Sequence, residues 1–447
     1  MIKVLLIGSG AREHAIAHAL KLAKEDVELF VYGSSLNPGI KELAADYKVG
    51  PLKSNTAMAS YASLAHVDLA IVGPENPLAE GISDVLGQVG IPCVGPTKQL
   101  AQIETSKSFA RDLLTEYKIN GCPKYKFFVN EMGLKEYLME LGDNFVIKAD
   151  GLMGGKGVLV SGDHFNGQAE GLKLAIEFIK NGSQVLIEEK LIGQEFSLMS
   201  FCDGDHLIHM PAVQDHKRAL TGDKGANTGG MGSYSCADFS LPFLDEDDIA
   251  AAQKTNEATA LSLKKKFGVG YKGILYGGFM ATQTGVKLIE YNARFGDPEA
   301  MNVLSLFSER TFPANPAPDF LQVCQAIVNG TLNKVKMDLK KQATVVKYIV
   351  PEGYPESPVI NQIIDVSKVD QAKVRLFYGS VDQKADGLYL GGSRALAVVA
   401  TADDVDQAEK IVETEIKKIT GPVFHREDIG TSELIEKRVK MMKELRS

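Results

Sequence analysis

The chain has 447 residues, 45% of them apolar and 24% charged, with a formal net charge of −8. These proportions exclude disordered, fibrous and membrane-spanning classes, and the acidic balance argues against general affinity for nucleic acid or anionic membrane. Single cores rarely grow past roughly 250 to 300 residues, so about three domains are expected.

The five cysteines (Cys93, Cys122, Cys202, Cys236, Cys324) are scattered and form no C-x-x-C pair, which suits reduced thiols rather than a disulfide frame or zinc site. The opening apolar run, Ile2 to Ile7, is too short for a signal peptide, and no run approaches about 18 residues. A cytoplasmic location is expected.

In chain order, IKVLLIG reads as a buried parallel strand, GSGAREHAIAHAL as a turn entering a helix, and VELFVYG, LAIVGPE and IPCVGP as further strands ending in turns. This predicts an open α/β sheet over the first hundred residues. A helix at SFARDLLTEY, strands YKFFV, FVIKA and QVLIEEKL, and helix AEGLKLAIEFIKN predict a small α+β lobe. FSLMSFCDG, HLIHMPAV, a polar glycine-rich loop from 215 to 232, a long helix near 247 to 267, YGGFMATQ and KLIEYN predict a second lobe. TVVKYIVPEGYP, KVRLFYGSV, GLYLGGS, RALAVVATA, helix VDQAEKIVETEIKKI and a terminal helix from Ser432 predict a separate C-terminal α+β domain. The expected units are 1–104, 105–336 with a mobile small lobe at about 124–195, and 337–447.

Gly8, Gly10 and Ala11 after the first strand, with Arg12 and Glu13 opening a helix, would aim backbone N–H groups at an anion. A dinucleotide fingerprint is disfavoured: Glu13 replaces its third glycine, and the next strand ends without an acid for the ribose. Arg12 suits a phosphate and Glu13 a sugar hydroxyl. Gly73, Pro74 and Glu75, at another strand end, should face the same crevice.

KADGLMGGKG, residues 148 to 157, is glycine-rich but lacks the Walker lysine-serine. Lys148 would meet inner phosphates while Gly154, Gly155, Lys156 and Gly157 close over the outer one. Glu188 and Glu195, seven apart, suit an adenine amino group and a ribose diol, although an exposed acidic turn explains that spacing equally well.

In EYNARFGDPE, residues 290 to 299, Glu290 and Asn292 share one strand face and Tyr291 the other. Two hard oxygens on one face suit Mg²⁺. Arg294 lies one step further for a transferring phosphoryl group, and the turn at Gly296 and Asp297 would offer N–H groups to a carboxylate. The polar loop adds Asp215, Lys217 and an Asn227-Thr228-Gly229-Gly230 turn: taken alone such a run is more often a solvated loop, but its amides suit an anion-binding nest and its glycines allow close approach to a ligand.

GSGAREHA, VGPE, ETSK, VIKADGLMGGKGV, QDHKR, NTGGMG and EYNARFGDPEAM, in that order from residue 2 to about 430, together resemble the phosphoribosylamine-glycine ligase family of ATP-grasp enzymes. RFGDPEAM is the most specific piece. The resemblance implies a pre-ATP-grasp α/β domain, a two-lobed ATP-grasp core and a small C-terminal domain. It also implies that ATP, glycine and 5-phosphoribosylamine give glycinamide ribonucleotide, ADP and phosphate through a glycyl phosphate, the second step of purine synthesis.

Carried over residue by residue, it implies Lys107 and Lys148 on ATP phosphates, with Glu188, Glu189, Leu191 and Glu195 at the nucleoside. Glu290 and Asn292 would be ligands for Mg²⁺ or Mn²⁺. Gly10, Arg12, Glu13, Glu75, Lys217, Asn227, Thr228 and Gly229 would flank phosphoribosylamine, while Asp215 and Arg294 lie where amine and glycyl phosphate meet. Only small-molecule partners are implied, with a monomer or weak dimer. Two positions depart from the pattern: Gly278 stands where the superfamily often has a further acidic ligand, and GGSR at 391–394 where the family more often has GGR. Rival assignments are another carboxylate-amine ligase or biotin carboxylase, a nicotinamide oxidoreductase, and a non-catalytic nucleotide sensor.

Overall fold

The structure is a computed structural model that describes residues 1–151, 157–307 and 318–447. Its first strand, β1 (Ile2–Ile7), is apolar on both faces, with Val4 to Ile7 fully buried. Such a strand needs helices on both sides of a parallel sheet. The sheet has the order β3-β2-β1-β4-β5, with β2 (Val27–Gly33), β3 (Asp46–Val49), β4 (Leu69–Val72) and β5 (Cys93–Val94) all parallel. Strand β3 has no apolar alternation and is largely exposed, which is why its sequence carries no strand signal.

The next antiparallel sheet has the order β6-β9-β7-β8, from β6 (Tyr125–Phe128), β7 (Phe145–Ala149), β8 (Val158–Val160) and β9 (Val185–Glu189). Helices Leu134–Leu141 and Gly167–Lys180 share its core around Phe128, Leu138, Phe145 and Ile187. The chain then crosses into β10 (Gly193–Asp203) and β11 (Leu207–His209). The strand expected through HLIHMPAV stops at His209, and Pro211, just beyond, has no N–H to donate to a ladder.

The polar loop is more ordered than its composition suggests. It contains β12 (Gln214–Asp215), a hairpin of β13 (Arg218–Leu220) and β14 (Lys224–Asn227), and β15 (Gly232–Ser235). Helix Glu246–Phe267 follows, begun by an Asp245 capping box and ended at Gly268 in the left-handed region. It packs on β16 (Lys272–Thr282) and β17 (Gly285–Asn292), which complete the sheet β11-β10-β16-β17.

Beyond residue 336 come β18 (Ala343–Pro351), β19 (Ile363–Ile364), β20 (Arg375–Tyr378), β21 (Val381–Lys384), β22 (Gly387–Leu390), β23 (Leu396–Ala402) and β24 (Val423–Phe424). Their main sheet crosses the expected boundary: its order is β12-β15-β18-β23-β20, so two strands of the polar loop belong to it. The backbone N–H and C=O groups of β15 need partners wherever they are buried, and β18 supplies them. Among the described residues no helix is long and apolar enough to cross a membrane. The five cysteines are free thiols, Cys202 and Cys324 buried and the other three partly so.

The first and last parts of the chain meet at His14, on helix Ala11–Lys21, whose Nδ1 accepts from the Tyr378 N–H at 2.9 Å while its ring stacks on Tyr378. Burial, with His18 nearby, pulls the His14 pKa from 6.5 to about 3. Below pH 6.5 the unfolded chain binds a proton that the folded chain refuses, so stability falls as pH drops from 6.5 toward 3. His14→Gln should flatten that fall by up to about 1.4 kcal/mol per pH unit, read by urea denaturation at pH 7, 6 and 5; an unchanged slope would contradict the assignment.

Candidate active site

The site is built around the end of β17. Tyr291 is buried against helix Glu246–Phe267, its hydroxyl 2.8 Å from Thr259 Oγ1, so Glu290 and Asn292 project from the opposite face. A bulge falls where Gly278 pairs with Glu290 and Phe279 with Leu288, leaving Ile289 unmatched. The freed Ile289 carbonyl accepts from Arg111 NH2 at 2.6 Å and Lys148 Nζ at 3.3 Å. Burial opposes ionisation of Glu290, but Lys217, Lys148 and Lys107 outweigh it and hold its carboxyl below the usual range. An ionised carboxylate beside an amide oxygen is a fitting donor set for a hard divalent cation. Gly278, directly opposite, adds no third donor, and no cluster of three His, Cys, Asp or Glu forms among the described residues.

On the small lobe, Lys148 of β7 lies 2.5 Å from Glu188 Oε2 of β9, and Arg111 Nε from helix Lys107–Glu116 takes Oε1. Although burial raises it, Arg111 first and then Lys148 hold the Glu188 carboxyl below its ordinary pKa. Both oxygens of Glu188 therefore face cations here, not an open nucleoside pocket. Lys107 donates its ammonium to the Gly151 carbonyl at 2.7 Å and its N–H to Asp150 Oδ1 at 2.7 Å, anchoring the start of the glycine loop. Gly154, Gly155 and Lys156 lie outside the described residues. Gly157 begins the return strand, its carbonyl accepting from Ala149 N–H at 2.8 Å. Glu189 accepts from Lys124 N–H at 2.8 Å and Leu191 stands at the lobe junction. Glu195 is paired with Lys217 of the polar loop.

On the other side, Glu13 accepts from its capped Gly10 N–H at 2.6 Å and from Arg12 Nε at 2.7 Å, while Arg12 NH1 reaches the Phe295 carbonyl at 3.1 Å. A Cβ on Gly73 would sit 2.1 Å from Glu13 Oε1, so glycine before Pro74 is required by that carboxylate. Arg294 NH2 is 2.9 Å from Glu104 Oε1 and 3.2 Å from Asn292 Oδ1, and its Nε is 3.5 Å from Glu75 Oε2. Glu104 also accepts the Ala293 N–H at 2.7 Å. Burial pushes Glu104 up, whereas Glu75, although also raised by burial, is pulled down by Arg294 and Arg12.

The Asn-Thr-Gly-Gly turn is not the open nest expected from its glycines. The N–H groups of Thr228, Gly230 and Met231 donate to Lys217 O, Thr228 Oγ1 and His216 O, at 2.7, 3.0 and 2.8 Å. Asn227 pairs across the hairpin with Arg218, and the Gly229 carbonyl accepts from Arg394. Asp215, behind Gly230, is held well above the usual carboxylate range by burial and then by Glu299. Glu299 is raised by burial too, and accepts from the Tyr276 hydroxyl at 2.8 Å. The N–H of Gly296 points at Met199 Sδ, and Asp297 accepts from Tyr348 and Arg394.

Lys148, Asn292 and Arg294 gather with Glu290 around the end of β17; Arg111 and Glu104 meet them there, and Glu299 and Arg394 stand at the neighbouring turns, four residues to which the sequence alone gives no role. Glu104 and Glu299 sit inside the ETSK and EYNARFGDPE motifs, where Lys107, Glu290 and Arg294 carry the clearer chemical signal. Arg111 stands in an ordinary amphipathic helix and carries no local signal.

Three family models tile the chain: the N domain of phosphoribosylglycinamide synthetase over residues 2–104, its ATP-grasp (A) domain over 105–300 and its C domain over 344–432. The phosphoribosylamine–glycine ligase of Methanocaldococcus jannaschii is 48% identical over 455 residues, covering 100% of both chains. That of Methanobrevibacter smithii is 48% identical over 450 residues, covering 99% of this chain and 100% of the other. The crystal structure of the Thermotoga maritima phosphoribosylamine–glycine ligase superposes with a TM-score of 0.77 at 26% identity, over 96% of this chain and all of that one. The biotin carboxylase domain of Hydrogenobacter thermophilus 2-oxoglutarate carboxylase, at 16% identity and a TM-score of 0.70 over 99% and 93%, shares the fold.

Removing one partner of a buried ion pair leaves uncompensated charge and costs about 3 to 5 kcal/mol. Arg111→Met should lose about 3 kcal/mol in equilibrium denaturation, since Lys148 still partners Glu188; a loss below about 1 kcal/mol would show that Arg111 does not support this carboxylate.

Proposed function

The chain belongs to the phosphoribosylglycinamide synthetase family, and from that premise we propose how its residues divide the family's reaction. The enzyme ligates glycine to 5-phosphoribosylamine at the expense of ATP, giving glycinamide ribonucleotide in purine biosynthesis. A carboxylate does not acylate an amine in water at a useful rate, so the step runs through glycyl phosphate. A glycine carboxylate oxygen attacks the γ-phosphorus and the bond to the β-phosphate oxygen breaks, releasing ADP. The ribosyl amine then attacks the acyl carbon, and the carbon–oxygen bond to phosphate breaks.

The observation that carries this division is the meeting of cations at the end of β17 on either side of Glu290: Lys148 Nζ lies 3.3 Å from the Ile289 carbonyl and Arg294 NH2 3.2 Å from Asn292 Oδ1. Glu290 and Asn292 hold a divalent cation, Mg²⁺ or Mn²⁺, which neutralises triphosphate charge when bound. Lys107 and Lys148 bind phosphates, and the glycine loop through Gly154, Gly155, Lys156 and Gly157 shields glycyl phosphate from water. Glu188, Glu189, Leu191 and Glu195 border the nucleoside. Arg294, held by Glu104 and Glu75, stabilises the migrating phosphoryl group.

Arg12, Glu13, Gly10, Gly73, Pro74 and Glu75 meet phosphoribosylamine from the N-terminal side, and Lys217, Asn227, Thr228, Gly229, Gly296 and Asp297 from the other. Asp215, against Gly230 of the Asn-Thr-Gly-Gly turn, faces the point where the amine meets glycyl phosphate. The working species is a monomer or weak dimer in the cytoplasm with small-molecule partners alone; the net charge of −8 argues against nucleic acid as one of them.

Glu290→Ala should abolish glycine- and phosphoribosylamine-dependent ADP release, and normal turnover of the variant in Mg²⁺ would contradict the metal assignment. Arg12→Ala should raise the KM for phosphoribosylamine at least tenfold, about 1.4 kcal/mol, with far less effect on that for ATP. Equal changes in both would refute its role.

A further inference from the structure

We propose that Arg394 is a positioning residue through which the C-terminal strands set the acceptor half of the site, so that binding of the phosphorylated sugar amine depends on it and binding of ATP does not. The proposal rests on the ligase assignment above and extends it to a residue outside the ATP-grasp core.

Arg394 lies just before β23, its carbonyl accepting from Ser380 N–H at 2.8 Å, and the next residue donates to Ile349 O of β18 at 2.9 Å. Its backbone is thereby fixed on the C-terminal sheet. Its guanidinium crosses to two turns of the core. NH1 donates to the carbonyls of Gly229 at 2.7 Å, Gly230 at 3.0 Å and Asp297 at 3.2 Å, and NH2 donates to Asp297 Oδ2 at 3.0 Å. The face of the guanidinium lies 4.4 Å from the centre of the Tyr348 ring, whose hydroxyl donates to Asp297 Oδ1 at 2.5 Å. Both Asp297 oxygens are therefore held from the C-terminal sheet.

These two turns, 227–230 and 296–298, are the ones assigned to the amine and to glycyl transfer. The nucleotide-side groups Lys107, Lys148 and Glu188 make their contacts with Gly151, Asp150, Ile289 and Arg111. None of these is a partner of Arg394. The geometry also bears on a glycine: a Cβ on Gly229 would lie 3.1 Å from the Arg394 Cζ, closer than side chains ordinarily pack, so a side chain there would push the guanidinium back by a few tenths of an ångström. A planar fork over an aromatic ring, feeding carbonyls and a carboxylate at once, is work a lysine cannot reproduce. The GGSR sequence at 391–394 still delivers its arginine to the core.

The test compares wild type, Arg394→Lys and Arg394→Ala by ADP release, varying phosphoribosylamine and ATP separately, with thermal melting alongside. Both variants should show a KM for the amine raised tenfold or more and a KM for ATP within twofold of wild type. Added ethylguanidinium should lower the amine KM of Arg394→Ala. Parallel rises in both KM values, or a lysine variant matching wild type, would overturn the proposal. If Arg394→Ala does not fold, Tyr348→Phe decides: a selective rise in amine KM supports the proposal, and an unchanged KM overturns it. Wild type that releases no ADP with glycine and amine would sink the ligase assignment itself, and this proposal with it.

Discussion

Three stretches of sequence meet on the guanidinium of Arg294. Glu104 reaches it from the end of the N-terminal sheet region, Glu75 from the turn after β4, and Asn292 from its own strand. Burying charges costs several kcal/mol per ion before their attraction is counted, so such a cluster is weak evidence for stability. What it does is restrict the arrangement. Glu104 grips both the Arg294 side chain and the Ala293 N–H, and a one-residue slip of β17 would break both contacts. The same slip would turn Glu290 and Asn292 into the layer now filled by Tyr291. The register of one strand end is thus fixed from outside its own sheet, and Glu290 and Asn292 take their positions from it.

The strands were legible where burial dictated composition. The apolar run of β1 and the alternation around Tyr291 could be read because a buried face leaves a pattern of period one or two in the residues themselves. Strand β3 and the hairpin β13–β14 could not, since they are exposed or polar and leave no apolar alternation in the residues. Site residues divide the same way. Lys148, Glu290 and Asn292 stand at recognisable spacings, whereas Arg111 acts on Glu188 from 77 positions away and Arg394 on Gly229 from 165. No local pattern encodes such a distance.

The glycines of the motifs invited one physical explanation and have another. Their density in the polar loop suggested free amides aimed at an anion, yet the amides of Thr228, Gly230 and Met231 are spent within the loop. Two are glycine because a carboxylate stands where a Cβ would go: Glu13 Oε1 lies 2.1 Å from that point on Gly73 and Glu299 Oε2 2.3 Å on Gly296. Gly230 is held instead by its φ of +110°, with Pro298 Cδ 2.6 Å from the same point. Spacing shows that a backbone must come close to something, and only the fold shows that the something is another side chain of the same protein.

That crowding of acids bears on how the cleft treats a nucleotide. Glu188 and Glu195, expected at adenine and ribose, are each paired here with a lysine, Lys148 and Lys217. Only Oε1 of Glu195 meets Lys217, and a carboxylate accepts on both oxygens, so this pairing leaves Oε2 open. At Glu188 both oxygens are taken, and a phosphate that drew Lys148 away would free Oε2. Arg111 and the Ile289 carbonyl keep Glu188 and Lys148 on the same side of the cleft whichever partner is chosen, so an exchange of partners there needs no movement of the strands.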